Sequence, residues 1–265
     1  MNEFEIIDET KNNKKVFSRV GWACFTVLAV TTVLQLVGAT LVTVLKPELL
    51  ETDWFTMILS FAPLYLVAFP LGFLILKPLP VDRPVQYKIG FGKLMMFLVM
   101  SFAIMYIGNI VGTIVNSIIA AVKGTELGNP LYEILNNSNI YMNLLFVVIL
   151  APIFEELIFR KLLIDRVRPY GEGIAILVSG LMFGLFHGNL YQFFYAFGLG
   201  AMFAYIYVRT GKIIYTIILH SIINFFGGVF TPFILKMLDL EAISNLDSSD
   251  PQKMMEMIQG NLLFF

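Results

Sequence analysis

Charge is scarce in this chain, and so are the residues from which covalent or metal frameworks are built. Asp, Glu, Lys and Arg make up 14% of the 265 residues, Cys24 is the single cysteine, and there are two histidines. One cysteine excludes an intrachain disulfide and any cysteine-built metal site, and leaves the redox compartment open. The formal charge is −1, and the basic residues are scattered in loops instead of gathered on one face, which argues against nucleic acid as a partner. The opening MNEFEIIDETKNNKK holds no apolar core of a cleavable signal, so residues 1–19 read as a short soluble cytoplasmic tail.

What the chain has in excess is apolar surface: 58% of residues are hydrophobic and the mean hydropathy is +0.79. Such values lie outside the soluble range and indicate a polytopic membrane protein. A span needs about 20 apolar residues, so this length holds roughly six to eight. Uncharged runs from Val20 to Leu45, Trp54 to Leu76 and Leu94 to Val122 give spans one to three. A fourth starts near Ile140 and meets charge at Glu155, after which no breaker follows until Pro169. The stretch from Glu172 to Arg209 breaks at His187-Gly188-Asn189 into spans five and six, and Ile213 to about Leu235 is the seventh, with Gly227, Gly228 and Pro232 loosening its far end.

Lys and Arg test this count, since they concentrate on the cytoplasmic side. They cluster before span one, between spans two and three (Lys77, Arg83, Lys88, Lys93), after span four (Lys161, Arg166, Arg168) and between six and seven (Arg209, Lys212); the opposite loops are acidic. The expected fold is therefore all-α: a polytopic transmembrane helix bundle of about seven spans, with length for eight, and the N-terminus inside. Residues 20–139 form a three-span region, 140–235 a second region, and 236–265 a C-terminal tail suited to the membrane surface or to a loose end.

Against that background the stretch FEELIFRK, residues 154–161, stands out. Each ionised group at mid-bilayer costs about 2.5 to 3.5 kcal/mol unless paired or wet. Glu156 and Arg160 are four apart, on one helix face, with the acid N-terminal to the base. Glu155 is rotated by about 100° from Glu156, so one carboxylate is left over. Two readings stand: span four ends early and these are headgroup-level charges, or they are buried and paired. Both histidines also fall inside apolar spans, His187 closing LMFGLFH and His220 in IIYTIILHSIINFF with Asn224 on the same face. A lone membrane histidine is commonly a helix-packing hydrogen bonder; two beside a spare carboxylate suggest a site.

Depth limits that idea. Glu155 lies roughly 20 Å from Arg168, His187 roughly 22 Å from Glu172 and His220 roughly 12 Å from Lys212, so the three meet only if helices tilt or ends shift. A helix ending at His187 is too short to cross, and its turn needs a protein-lined, watered cavity. Pro152 is expected to kink span four. Gln35, Asn109 and Asn116 read as packing residues, Gly108 to Gly112 as a small-xxx-small contact, and Phe183 as a core or lipid-facing ring.

EELIFR, FGLFH and HSIIN, in that order, resemble the EExxxR, FxxxH and HxxxN motifs of the CPBP family, the membrane proteins related to type II CAAX prenyl endopeptidases and to bacteriocin-processing and immunity (Abi-like) proteins. The resemblance covers roughly residues 140–230, and the first three spans match nothing comparable. It implies a CPBP-like catalytic core at 140–235 and an intramembrane endopeptidase in which Glu155 and His187 activate a water and His220 with Asn224 stabilise the oxyanion. Glu156 and Arg160 then form a structural ion pair near the site. A carboxylate with histidines to share its proton suits acid and base work near neutrality.

No cofactor is firmly implied. A divalent metal such as zinc, held by Glu155, His187 and His220, is a chemically sound set, and a metal-free glutamate and water site is equally complete. The partners implied are the lipid bilayer and a peptide or protein substrate, prenylated or not, that reaches the membrane interior. The implied location is integral and multi-pass in a bacterial cell membrane. Two other functions use the same polar groups: a non-enzymatic membrane scaffold or bacteriocin-immunity protein, and a proton-relaying transporter, against which the absence of repeated halves counts.

Overall fold

Proline and glycine punctuate the apolar runs, and several helices end beside them, as at Pro47, Gly124, Gly171 and Gly211. The computed structural model describes residues 3–125 and 139–237. Among these the chain is helical, without strands, in seven long segments: α1 (Glu3–Leu45), α2 (Asp53–Leu76), α3 (Phe91–Lys123), α4 (Ile140–Tyr170), α5 (Glu172–Phe186), α6 (Leu190–Thr210) and α7 (213–237). The all-helical bundle is as expected. Five segments (α1 to α4 and α7) are long and apolar enough to cross a bilayer, and the protein is an integral, multi-pass membrane protein. α5 has 15 residues, roughly 22 Å of helix, and stops short of a crossing. The acidic loop with Glu126 and Glu133 and the tail beyond Met237 lie outside the described residues.

Three helices are wound wider than α over part of their length. Pro63–Ala68 in α2, Asn143–Leu150 and Leu157–Ile164 in α4, and Phe226–Phe230 in α7 are π-helical. The hydrogen bonds step back five residues, from Phe69 N–H to the Leu64 carbonyl, from Ala151 to Phe146 and from Thr231 to Phe226. Proline cannot donate, so a helix containing one reorganises its ladder locally, and such bulges gather at functional sites. Pro152 itself lies in an α-helical stretch, Ala151–Glu156, with π turns on either side of it.

The small-xxx-small contact is found as read. A Cβ on Gly108 would lie 2.5 Å from Tyr195 Cα, and one on Gly112 would lie 2.7 Å from the Tyr191 carbonyl oxygen. Hydrogen at these two positions therefore lets α3 seat directly on the α6 backbone. The same face of α3 buries Phe97, Ser101 and Asn116, while Val99, Ile107, Ile110 and Ile114 point outward, as a lipid-facing surface requires.

The cation-rich end is tied together by polar contacts. Tyr207 donates to Asp165 at 2.8 Å, Arg166 Nε donates to the Leu76 carbonyl at 2.9 Å, and Asp82 N–H donates to the Asp165 carbonyl at 2.7 Å. The loop between α2 and α3 is thereby pinned to α4 and α6. Beneath it Ile164, Val167, Phe183, Ala204 and Tyr207 close a core from α4, α5 and α6.

Candidate active site

Glu156 and Arg160 are both wholly buried, with Arg160 Nε 2.9 Å from Glu156 Oε2 and Nη2 3.2 Å from Oε1. Helix α4 continues through this pair, which is buried inside protein. Arg160 Nη1 also donates to Ser179 Oγ at 2.7 Å, whose own hydroxyl donates to the Phe159 carbonyl at 2.9 Å. The guanidinium lies 5.1 Å from the Phe183 ring centroid and 5.9 Å from that of Phe203, within cation–π range.

Glu156 does more than hold the arginine. His220 Nδ1 is 3.1 Å from Glu156 Oε1, and a carboxylate only accepts, so Nδ1 carries the proton and Nε2 is the free face. That Nε2 is 3.7 Å from Glu155 Oε2. The remaining oxygen of Glu155 accepts a hydrogen bond from the Tyr65 hydroxyl at 3.1 Å. The spare carboxylate thus lies between α2 and α7, within reach of both Tyr65 and His220.

His187 caps α5, and the turn after it is set by Gly188 at φ 68°, a backbone that glycine adopts without strain. Its Nδ1 is 2.8 Å from the Phe183 carbonyl, which can only accept, so here too Nε2 is the free nitrogen. Asn189 begins α6, its side-chain oxygen accepting from Gln192 N–H at 2.9 Å while its amide donates to the His187 carbonyl at 2.9 Å. Phe183 packs edge-on against both imidazoles, at 5.0 Å from His187 and 5.5 Å from His220, and is a core residue.

Asn224 donates to the Val147 carbonyl at 2.9 Å. In α4 the bond from Ala151 reaches Phe146, so the donor due to Val147 in that register is residue 152, a proline. Asn224 supplies the missing N–H, and its second amide hydrogen stays free of that contact.

Glu155, His187, His220 and Asn224 all line one cavity of about 270 Å3 between α2, α3, α4, α5, α6 and α7. Asn109, read as a packing residue, lines it as well. Gln35 and Asn116 do pack, donating to the Ser60 and Gly112 carbonyls. Tyr65 and Gln192 went unnoticed in the sequence. A glutamine in an apolar helix was a signal for the second; nothing but the hydroxyl marked the first among the chain's tyrosines. Whether the site suits a metal turns on three ligands meeting, and among the described residues no group of three His, Cys, Asp or Glu is gathered to hold one. The zinc set does not fit this arrangement.

Residues 137–226 match the family model described as type II CAAX prenyl endopeptidase Rce1-like. The membrane-embedded CAAX protease MroQ of Staphylococcus aureus (strain USA300) is 29% identical over 161 residues, 57% of this chain and 62% of its own. CAAX prenyl protease 2 of Homo sapiens is 31% identical over 100 residues, 30% of each chain. The chain thus spans less than two thirds of either relative. No solved structure gives a significant match. The resemblance drawn from the three motifs is borne out over this segment.

Proposed function

We propose that this chain, whose residues 137–226 are similar to the Rce1-like type II CAAX prenyl endopeptidases, is an intramembrane endopeptidase that hydrolyses a peptide bond of a membrane-anchored substrate, prenylated or similarly lipidated. The observation that carries the reading is that Glu155, His187, His220 and Asn224, from three helices, face one cavity inside an apolar bundle. Ionisable groups are expensive there, and a cavity with several of them and room for water is suited to hydrolysis.

The step runs as follows. A water in the cavity gives a proton to Glu155 Oε2 as its oxygen bonds to the scissile carbonyl carbon, and the carbonyl electron pair moves to oxygen. His220, its Nδ1 tied to Glu156, donates from Nε2 to that oxyanion when protonated, and the free amide hydrogen of Asn224 donates beside it. The tetrahedral centre then collapses, the C–N bond breaks, and the proton taken by Glu155 passes to the leaving nitrogen, with His187 Nε2 as the acceptor that relays it. No part of this sequence is routed through a metal.

The test compares membrane proteins from cells making the wild type and Glu155→Ala, by mapping their terminal peptides. New termini present only with the wild type are expected. Identical termini in the two, with both proteins inserted at equal level, overturn the reading.

A further inference from the structure

We infer that Tyr65, from the three-span region that the motifs leave out, is a positioning residue for Glu155; the inference rests on the endopeptidase reading. The ring is held before any substrate arrives. It stacks on Phe154 with centroids 4.8 Å apart and on Phe61 at 5.6 Å, and leans on Phe69 at 5.4 Å. Tyr65 is buried and sits in the π-helical turn that starts at Pro63, so the backbone as well as the neighbours fix its direction.

Packing alone does not call for a tyrosine here. The surrounding rings, Phe61, Phe69 and Phe154, are phenylalanines, and a fourth would fill the same space. The one hydroxyl in the cluster ends 3.1 Å from Glu155 Oε1. A phenol donates and a carboxylate accepts, so Oε1 is occupied and Oε2 is the oxygen turned to His220 Nε2. When Oε2 takes a proton, Oε1 becomes the carbonyl oxygen and still accepts from Tyr65. The hydroxyl therefore holds the carboxyl group in one orientation through both protonation states, which is what a general base working at one oxygen needs.

Tyr65 also lines a second cavity of about 490 Å3, walled by Phe69, Phe73, Leu157 and Ile158 and edged by Arg83 and Lys161. The carboxylate it holds lines the catalytic cavity.

Tyr65→Phe tests this in the full chain, reconstituted in vesicles. Since the hydroxyl touches Glu155 and not the peptide, kcat is expected to fall about ten- to a hundredfold with KM unchanged, the loss appropriate to one hydrogen bond to a charged group. A wild-type kcat overturns the inference, and so does a loss confined to KM. The second readout needs no turnover. The chain has two histidines, so imidazole 15N spectra are assigned by single substitutions, and Tyr65→Phe should move the His220 Nε2 resonance in the wild-type background and not in Glu155→Ala. An unmoved resonance overturns the positioning role. If the wild type cleaves nothing while the resonance moves as expected, the endopeptidase reading fails and the Tyr65–Glu155 coupling stands.

Discussion

His220 gives its Nδ1 to Glu156, 3.1 Å away, and so presents Nε2 to Glu155. Two adjacent carboxylates of one helix thereby take opposite sides of a single imidazole. Glu156 holds the ring from behind while Glu155 meets its working edge, much as a carboxylate orients histidine in other hydrolytic sites.

This division of labour separates stability from chemistry. Glu156→Gln leaves the buried Arg160 charge unpaired, and breaking such a pair costs about 3 to 5 kcal/mol. Unfolding in detergent, by heat or denaturant, should show that loss. Glu155→Gln keeps an acceptor for Tyr65 and lies at the cavity wall, so it should shift stability by less than about 1 kcal/mol while abolishing cleavage. Equal destabilisation by the two changes would contradict the assignment.

Asn224→Ala removes a donor to the oxyanion, which in comparable sites costs about a hundred- to a thousandfold in kcat. It also strips the Val147 carbonyl of its partner, so a stability measurement has to accompany the kinetics. Asn224→Asp, of the same size but without the amide hydrogens, should lose as much activity as alanine does. Retention of activity in the aspartate variant would remove Asn224 from the mechanism.

Gly108→Ala should destabilise by about 1 to 3 kcal/mol, because its methyl would meet the Tyr195 backbone and push α3 off α6. Gly92→Ala, with nothing within 4 Å of the added carbon, is the control on the same helix and should be neutral or slightly stabilising. Paired thermal denaturation curves decide it, and equal midpoints would mean that the α3–α6 seat is looser than described.

Metal dependence has its own check. Because no three of the described His, Cys, Asp and Glu residues are gathered as ligands, cleavage should survive strong chelation, and purified protein should bind well under one zinc per chain. Loss of activity on chelation with recovery on added zinc would call for a rearranged site.

The bundle could be read from the sequence because long apolar runs have few other ways to satisfy their backbone in a membrane. The helix break at Gly188 and the Gly108–Gly112 seat could be read too, since small residues at those spacings do one job. Convergence of the three motifs was implied by resemblance, while even spacing along straight helices permitted a shared site without showing one. The π winding on either side of Pro152 is likewise something that no periodicity reports. Asn109 and Tyr65 were opaque for another reason: a polar atom in an apolar run looks alike whether it faces a neighbouring helix or a cavity. The double use of Glu156 was hidden because its pairing with Arg160 already seemed a sufficient account.

The seat of α6 on α3 and the grip of Tyr65 on Glu155 both reach outside residues 137–226. That segment is therefore no portable cassette: grafted onto foreign helices, it would carry its acid, its imidazoles and its amide, and arrive with two walls missing from the chamber they share.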